Sequence, residues 1–221
     1  MLTDYMKKEH LWWLLPLIGA LIFTPFSAEL DLKIAHYFHN GVGFISNPFY
    51  DFFYNRAVLP GLWVGGAAGF VLLLSFFKKY KKYRNIALQL ILTLVVGAGF
   101  VVHTLLKDHW GRPRPRQVIE FGGNQPFRPF YSPNFTHQPE PSRSFPCGHC
   151  TMGFYFFSLA FVMRRLGKKG WEWFFYGFAL VLGGLLGLTR MAQGGHFLSD
   201  VIFSGLILWW IAGLFDWLIN D

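Results

Sequence analysis

Six near-continuous apolar runs, separated by polar segments, dominate this 221-residue chain. They are Leu11–Phe26, Val58–Phe77, Ile86–Leu106, Gly148–Met163, Trp171–Leu188 and Phe197–Ile219. A bilayer core about 30 Å thick takes roughly 20 apolar residues per crossing helix, with about 17 to 25 usual. The first and fourth runs fall short of that length, and the other four meet it. Glycines inside the runs, among them Gly65, Gly97, Gly183 and Gly187, suit close helix contact in lipid. Only 14% of residues are charged, against about 25% in ordinary soluble domains. These features exclude a disordered chain, a coiled coil and a disulfide-stapled mini-protein. They also disfavour a nucleic-acid partner, despite the net charge of +8. The expected fold is all-α: a polytopic membrane protein with six transmembrane helices, forming one domain over residues 1–221.

The basic residues are partitioned. With the N-terminus inside, the short inner segments carry Lys7 and Lys8, then Lys78, Lys79, Lys81, Lys82 and Arg84, then Arg164, Arg165, Lys168 and Lys169. Their density, rather than their total, predicts that both termini are cytoplasmic. The N-terminus resembles a signal peptide, but Phe26 stands where cleavage wants a small residue, so an uncleaved first span is expected. The outer loops are then about 27–57 and 107–147. In the first, Leu30, Ile34 and Phe38 recur at helical spacing and suggest a short amphipathic surface helix. The second is rich in proline and scattered aromatics, which read as a packed lid or as a grip for acyl chains or a sugar.

Three polar clusters interrupt the apolar chain: Lys107–Pro115, Pro146–His149 and Arg190–Asp200. All three fall at the outer ends of spans under that topology. Ionisable groups near a bilayer are expensive and tend to mark function. Lys107, Arg114 and Arg190 are cations that converge best on a phosphoryl group, which arginine binds through forked donors and lysine as a point charge. His196 and Asp200 are four residues apart and share a helix face. A carboxylate on one ring nitrogen leaves the other free as a nucleophile. His149 follows Gly148 at an expected helix start, where backbone N–H groups can hold phosphate oxygens and the imidazole can protonate a departing oxygen.

The clusters resemble the signature of the type 2 phosphatidic acid phosphatase superfamily, which includes the vanadium haloperoxidases. Its pattern is K-x6-R-P, then P-S-G-H, then S-R-x5-H-x3-D. Lys107, Arg114 and Pro115 match the first part; Pro146, Gly148 and His149 match the second; Arg190, His196 and Asp200 match the third. The resemblance implies a haloperoxidase-like helical bundle and attack by His196 on phosphorus to form a phosphohistidine. It further implies that Asp200 orients His196, that His149 serves as general acid and then base, and that Lys107, Arg114 and Arg190 bind the oxygens. No metal and no cofactor are implied. Cys147 replaces the pattern's Ser and Thr189 its second Ser; Cys147 keeps a backbone N–H for phosphate. Arg112 is a further phosphate or headgroup candidate, because Arg-Pro-Arg-Pro is stiff.

Cys147 and Cys150 form C-x-x-C, for which a disulfide, redox chemistry and zinc binding all stay open. His103, one turn before Lys107, either points towards the site or bonds a neighbouring helix. The expected partners are a phosphorylated lipid substrate and membrane lipids, with the active site on the periplasmic face of a bacterial inner membrane. The stretch Lys107–Pro115 with Glu120-Phe121-Gly122-Gly123 looks like the bacterial lipid A phosphatase branch. Undecaprenyl diphosphate, phosphatidic acid and phosphatidylglycerol phosphate present the same headgroup chemistry. A non-enzymatic lipid or anion transporter is the reading from a different class. Transporters often show internal repeats and mid-membrane polar sites, and neither is visible here.

Overall fold

The computed structural model describes residues 2–45, 47–135 and 141–220, with side chains at Leu14 and from Pro16 onward. Lys7 and Lys8 therefore lie outside the described side chains. Among the described residues the chain is helical, with isolated β-bridges and no strands. The helices are α1 (Leu2–Tyr37), α2 (Pro48–Arg56), α3 (Leu59–Leu74), α4 (Arg84–Leu92), α5 (Gly148–Phe154), α6 (Phe157–Arg165), α7 (Lys169–Ala192) and α8 (Leu198–Asn220). After Leu92, α4 continues through Thr93–Lys107 in the wider winding of a π-helix.

Four helical stretches are long and apolar enough to cross a bilayer: Pro48–Leu74, Lys78–Lys107, Lys169–Ala192 and Leu198–Asn220. Leu21, Ile22, Trp63, Phe70 and Val181 are each more than 60% exposed. A water-soluble domain rarely tolerates so much apolar surface, and hydrocarbon does.

The two short runs differ from these four. The run beginning at Gly148 is broken into α5 and α6 at Tyr155–Phe156. Cys150, Tyr155 and Ala160 there are fully buried, and α5 packs on α3, α7 and α8. This segment is apolar because protein surrounds it, so it need not match the bilayer's thickness. Its closest approach is to α7, where a Cβ on Gly153 would strike the backbone of Gly183. The other short run lies within α1, which continues past Phe26 to Tyr37 with Pro16 and Pro25 inside it. The expected separate surface helix is therefore the end of α1. Its buried stripe is Ser27, Asp31, Ala35 and Phe38, not Leu30. An acid is turned inward here because a guanidinium waits for it.

Antiparallel order gathers the polar clusters at one end of the bundle. At the opposite end Arg165 pairs with Asp216 at 3.0 Å. Asn85 Nδ2 donates to the Ile219 carbonyl at 3.1 Å. The lysine-rich segment Lys78–Tyr83 is joined there to the start of α4.

Candidate active site

Most candidate side chains sit at or beside a helix end, and Arg112 and Arg114 lie in the loop that follows Lys107. Lys107 closes the wide winding after α4, Arg190 lies in the last turn of α7, and Asp200 lies in the first turn of α8. His196 sits between α7 and α8. Cys147 caps α5, so Gly148 and His149 are its first two residues. Gly194 turns the chain at φ 63°, a left-handed conformation glycine adopts readily. Gly195 then passes so close to Arg190 that a Cβ would overlap the guanidinium. A Cβ on Gly148 would lie 2.6 Å from the His103 imidazole and 3.2 Å from Lys107 Nζ. The two glycines thus let backbone approach the cations that flank the site.

His196 is 1% exposed, and its Nδ1 lies 3.6 Å from Asp200 Oδ2. Nε2 is left for chemistry. Burial pushes the imidazole down to about 3 against the opposing pull of Asp200, so the ring is neutral and nucleophilic near pH 7. Asp200 is held from three directions. Oδ2 accepts from Ser144 Oγ at 2.6 Å and from the Phe197 N–H at 2.8 Å, while Oδ1 accepts from Arg112 at 2.5 Å. The carboxylate orients His196 and would balance the positive charge that appears on attack.

His149 is half-buried, and the charged groups acting on it are Arg190, Lys107, His103 and Arg114. Lys107, Arg114 and Arg190 lie within electrostatic reach of one another. Three cations held close together have the charge and the donors that suit a dianion. His149 and His196 face the same group of cations, since Lys107 and Arg190 act on both. The structure therefore brings together His196, Asp200, His149, Gly148, Lys107, Arg114 and Arg190. His103 also faces this group.

Two sequence expectations differ. Arg112 is 1% exposed and its guanidinium is taken up by a buried network. Its Nε donates to the Arg128 carbonyl at 2.9 Å. One terminal nitrogen reaches Ser199 and Asp200, and the other pairs with Asp31 at 2.7 Å. Arg112 is drawn into this network by Asp31 and Asp200, whereas Arg114 stays among the cations around His149. Cys147 likewise has both its sulfur and its backbone N–H engaged within the protein. Its sulfur is bonded to Cys150, which also removes the thiolates that zinc would need. Its backbone N–H donates to the Asp200 carbonyl at 3.2 Å.

The sequence motifs also missed several residues. Asp31 accepts from the Ser199 N–H at 2.8 Å and from its hydroxyl at 2.6 Å, anchoring the start of α8 to α1. Ser144 was not singled out either. Tyr54 of α2 stacks on His149, with ring centroids 4.4 Å apart and planes 21° apart. No local signal marks these three, because each acts across the chain on a residue far away in sequence.

Comparison with known proteins gives the same result as the site geometry. Residues 86–220 match the PAP2 superfamily. A lipid A 4'-phosphatase of Francisella tularensis subsp. novicida is 34% identical over 205 residues, covering 86% of this chain and 86% of that protein. One from Rhizobium leguminosarum is 35% identical over 118 residues, covering 52% of this chain and 46% of the relative. One from Rhizobium etli is 32% identical over 119 residues, covering 51% and 42%. No solved structure matches significantly. The matched region contains all three clusters, and the overlap with the Francisella protein runs through most of both chains; the chain belongs to the PAP2 superfamily.

Proposed function

We propose that this protein is a membrane lipid phosphatase that removes the 4'-phosphate of lipid A. One observation carries the chemistry: a neutral, buried His196 backed by Asp200 faces the same cations as His149. The substrate assignment rests on the Francisella relative, whose overlap is nearly end to end. Lys107, Arg114 and Arg190 hold the phosphate oxygens and neutralise charge as it moves. His196 Nε2 attacks phosphorus. The bond to the sugar oxygen breaks, and His149 donates a proton to that oxygen. His149 then takes a proton from water, which attacks the phosphohistidine and releases inorganic phosphate with neutral His196.

The topology fits a lipid substrate. On this reading the chain crosses six times with both termini in the cytoplasm and the site at the periplasmic surface, which the dense basic segments 78–84 and 164–169 support. Four are the long stretches, one is the Leu11–Phe26 part of α1, and one is the buried α5–α6 pair. A phosphate at the outer water boundary then meets the cations while its acyl chains stay in the membrane.

The test is mass spectrometry of hexa-acylated lipid A incubated with purified protein. Loss of one phosphate from the distal sugar, abolished by His196→Ala, is expected. Loss from the reducing-end sugar, or turnover only of undecaprenyl diphosphate or phosphatidic acid, would overturn the substrate. Lipid movement without phosphate release would overturn the enzyme.

A further inference from the structure

We propose that Tyr54, on a helix outside all three sequence clusters, is a positioning residue that fixes the His149 imidazole and steadies Arg190. This rests on the phosphatase reading above. A general acid must aim one ring nitrogen at the leaving oxygen, and an imidazole at a half-exposed helix mouth is otherwise free to rotate about its own bond. Tyr54 removes that freedom by stacking nearly parallel on the ring at 4.4 Å. The same phenol ring lies 4.8 Å from the guanidinium carbon of Arg190, within cation–π range.

A second contact ties the same helix to the same arginine. Arg190 donates to Gln193 Oε1 at 2.7 Å, and Gln193 Nε2 donates to Asp51 Oδ1 at 3.1 Å. Asp51 and Tyr54 are three residues apart on α2, so both lie on the face turned to the site. The helix begins at Asn47, whose side chain accepts from the Tyr50 N–H at 3.1 Å, with Pro48 at its first position. None of its residues is fully buried. It contributes little to the core, and α7 is the helix it packs on most. Tyr50 packs against the main core, and Tyr54 and Asp51 carry the contacts to the site. Tyr54 therefore reaches both the proton donor and a phosphate ligand, and it aligns one with the other.

The variants Tyr54→Phe, Tyr54→Leu and Tyr54→Ala separate this role from a structural one. In the phosphatase assay Tyr54→Phe keeps kcat within about threefold, because the stack survives. Tyr54→Ala and Tyr54→Leu lose roughly ten- to a hundredfold in kcat, with KM changed less, because alignment and not substrate affinity is lost. A second readout needs no turnover. The His149 ring is titrated by NMR in isotope-labelled protein, with His149→Asn to assign the signal. Arg190 from α7, Lys107 and His103 from the wide winding, and Arg114 from the following loop all face this ring. Removing the aromatic cover admits water, which favours the charged ring, so its titration moves to higher pH in the Ala and Leu variants and stays put in Phe. Parental kcat and parental titration in both Ala and Leu would overturn the proposal. So would a Phe variant as damaged as Ala, which would assign the role to the hydroxyl. A parent protein that releases no phosphate would overturn the phosphatase reading alone, since the titration still reports on Tyr54.

Discussion

Replacing Arg112 with alanine should damage folding more than phosphate binding, whereas Arg114→Ala should do the reverse. The difference follows from where the two guanidinium groups point. Arg112 bridges two fully buried carboxylates, Asp31 and Asp200, and also bonds Ser199 and the Arg128 carbonyl. Truncation leaves two buried acids without their cation. Breaking a buried ion pair from one side costs about 3–5 kcal/mol, against a total stability of about 5–15 kcal/mol for a typical domain. Arg112→Lys should recover only part, because an ammonium cannot span two carboxylates as a guanidinium does. Arg114 is only half-buried and belongs to the cation group around His149. Losing its charge-assisted bonds, worth about 1.5–3 kcal/mol each, should weaken a phosphate mimic roughly ten- to a hundredfold. The assay pairs thermal unfolding in detergent with vanadate inhibition measured on the folded fraction. Arg112→Ala unfolding at the parental temperature while losing vanadate affinity would refute the reasoning. It would return Arg112 to the phosphate site that its position in Arg-Pro-Arg-Pro suggests.

Two further outcomes test the site's packing and charge. The His196 ring has an ordinary value of 6.5, brought down to about 3 by burial. Between those limits the unfolded chain binds a proton that the folded protein refuses, so stability is lost as pH falls from 6.5 towards 3. His196→Asn should show a smaller fall in unfolding temperature over that window, and an equal fall in both proteins would contradict the burial argument. Gly148→Ala places a methyl 2.6 Å from the His103 imidazole and 3.2 Å from Lys107 Nζ. It should lower kcat roughly tenfold by displacing them. Adding His103→Ala should restore part of the loss, and a fully active Gly148→Ala would show that the contact is easily relieved.

The residues that the structure gathers at the candidate site were readable in the chain. Lys107, Arg114, His149, Arg190, His196 and Asp200 are costly residues beside apolar runs, and His149 and His196 each directly follow a glycine. The four long spans were readable for a similar reason, since hydrocarbon permits little else. The short run from Gly148 was ambiguous, because burial in protein and burial in lipid select the same side chains. Arg112 beside Arg114 shows a second limit: the stiff Arg-Pro-Arg-Pro run suggested that both arginines serve one site, and only the buried acids Asp31 and Asp200 draw Arg112 elsewhere. Asp31 and Tyr54 show a third. Asp31 meets Arg112 81 positions away and Ser199 168 positions away, and Tyr54 meets His149 in the second cluster; such pairing is set only when α1 and α2 dock.

The most direct test of the mechanism is to trap the covalent enzyme. The parent protein is mixed with lipid A carrying labelled phosphate at the 4' position and quenched in base within the first turnover. Label on the imidazole of His196, lost on acid treatment and absent in His196→Ala, is the expected result. Phosphate release that persists in His196→Ala, or label on any other side chain, would contradict the account.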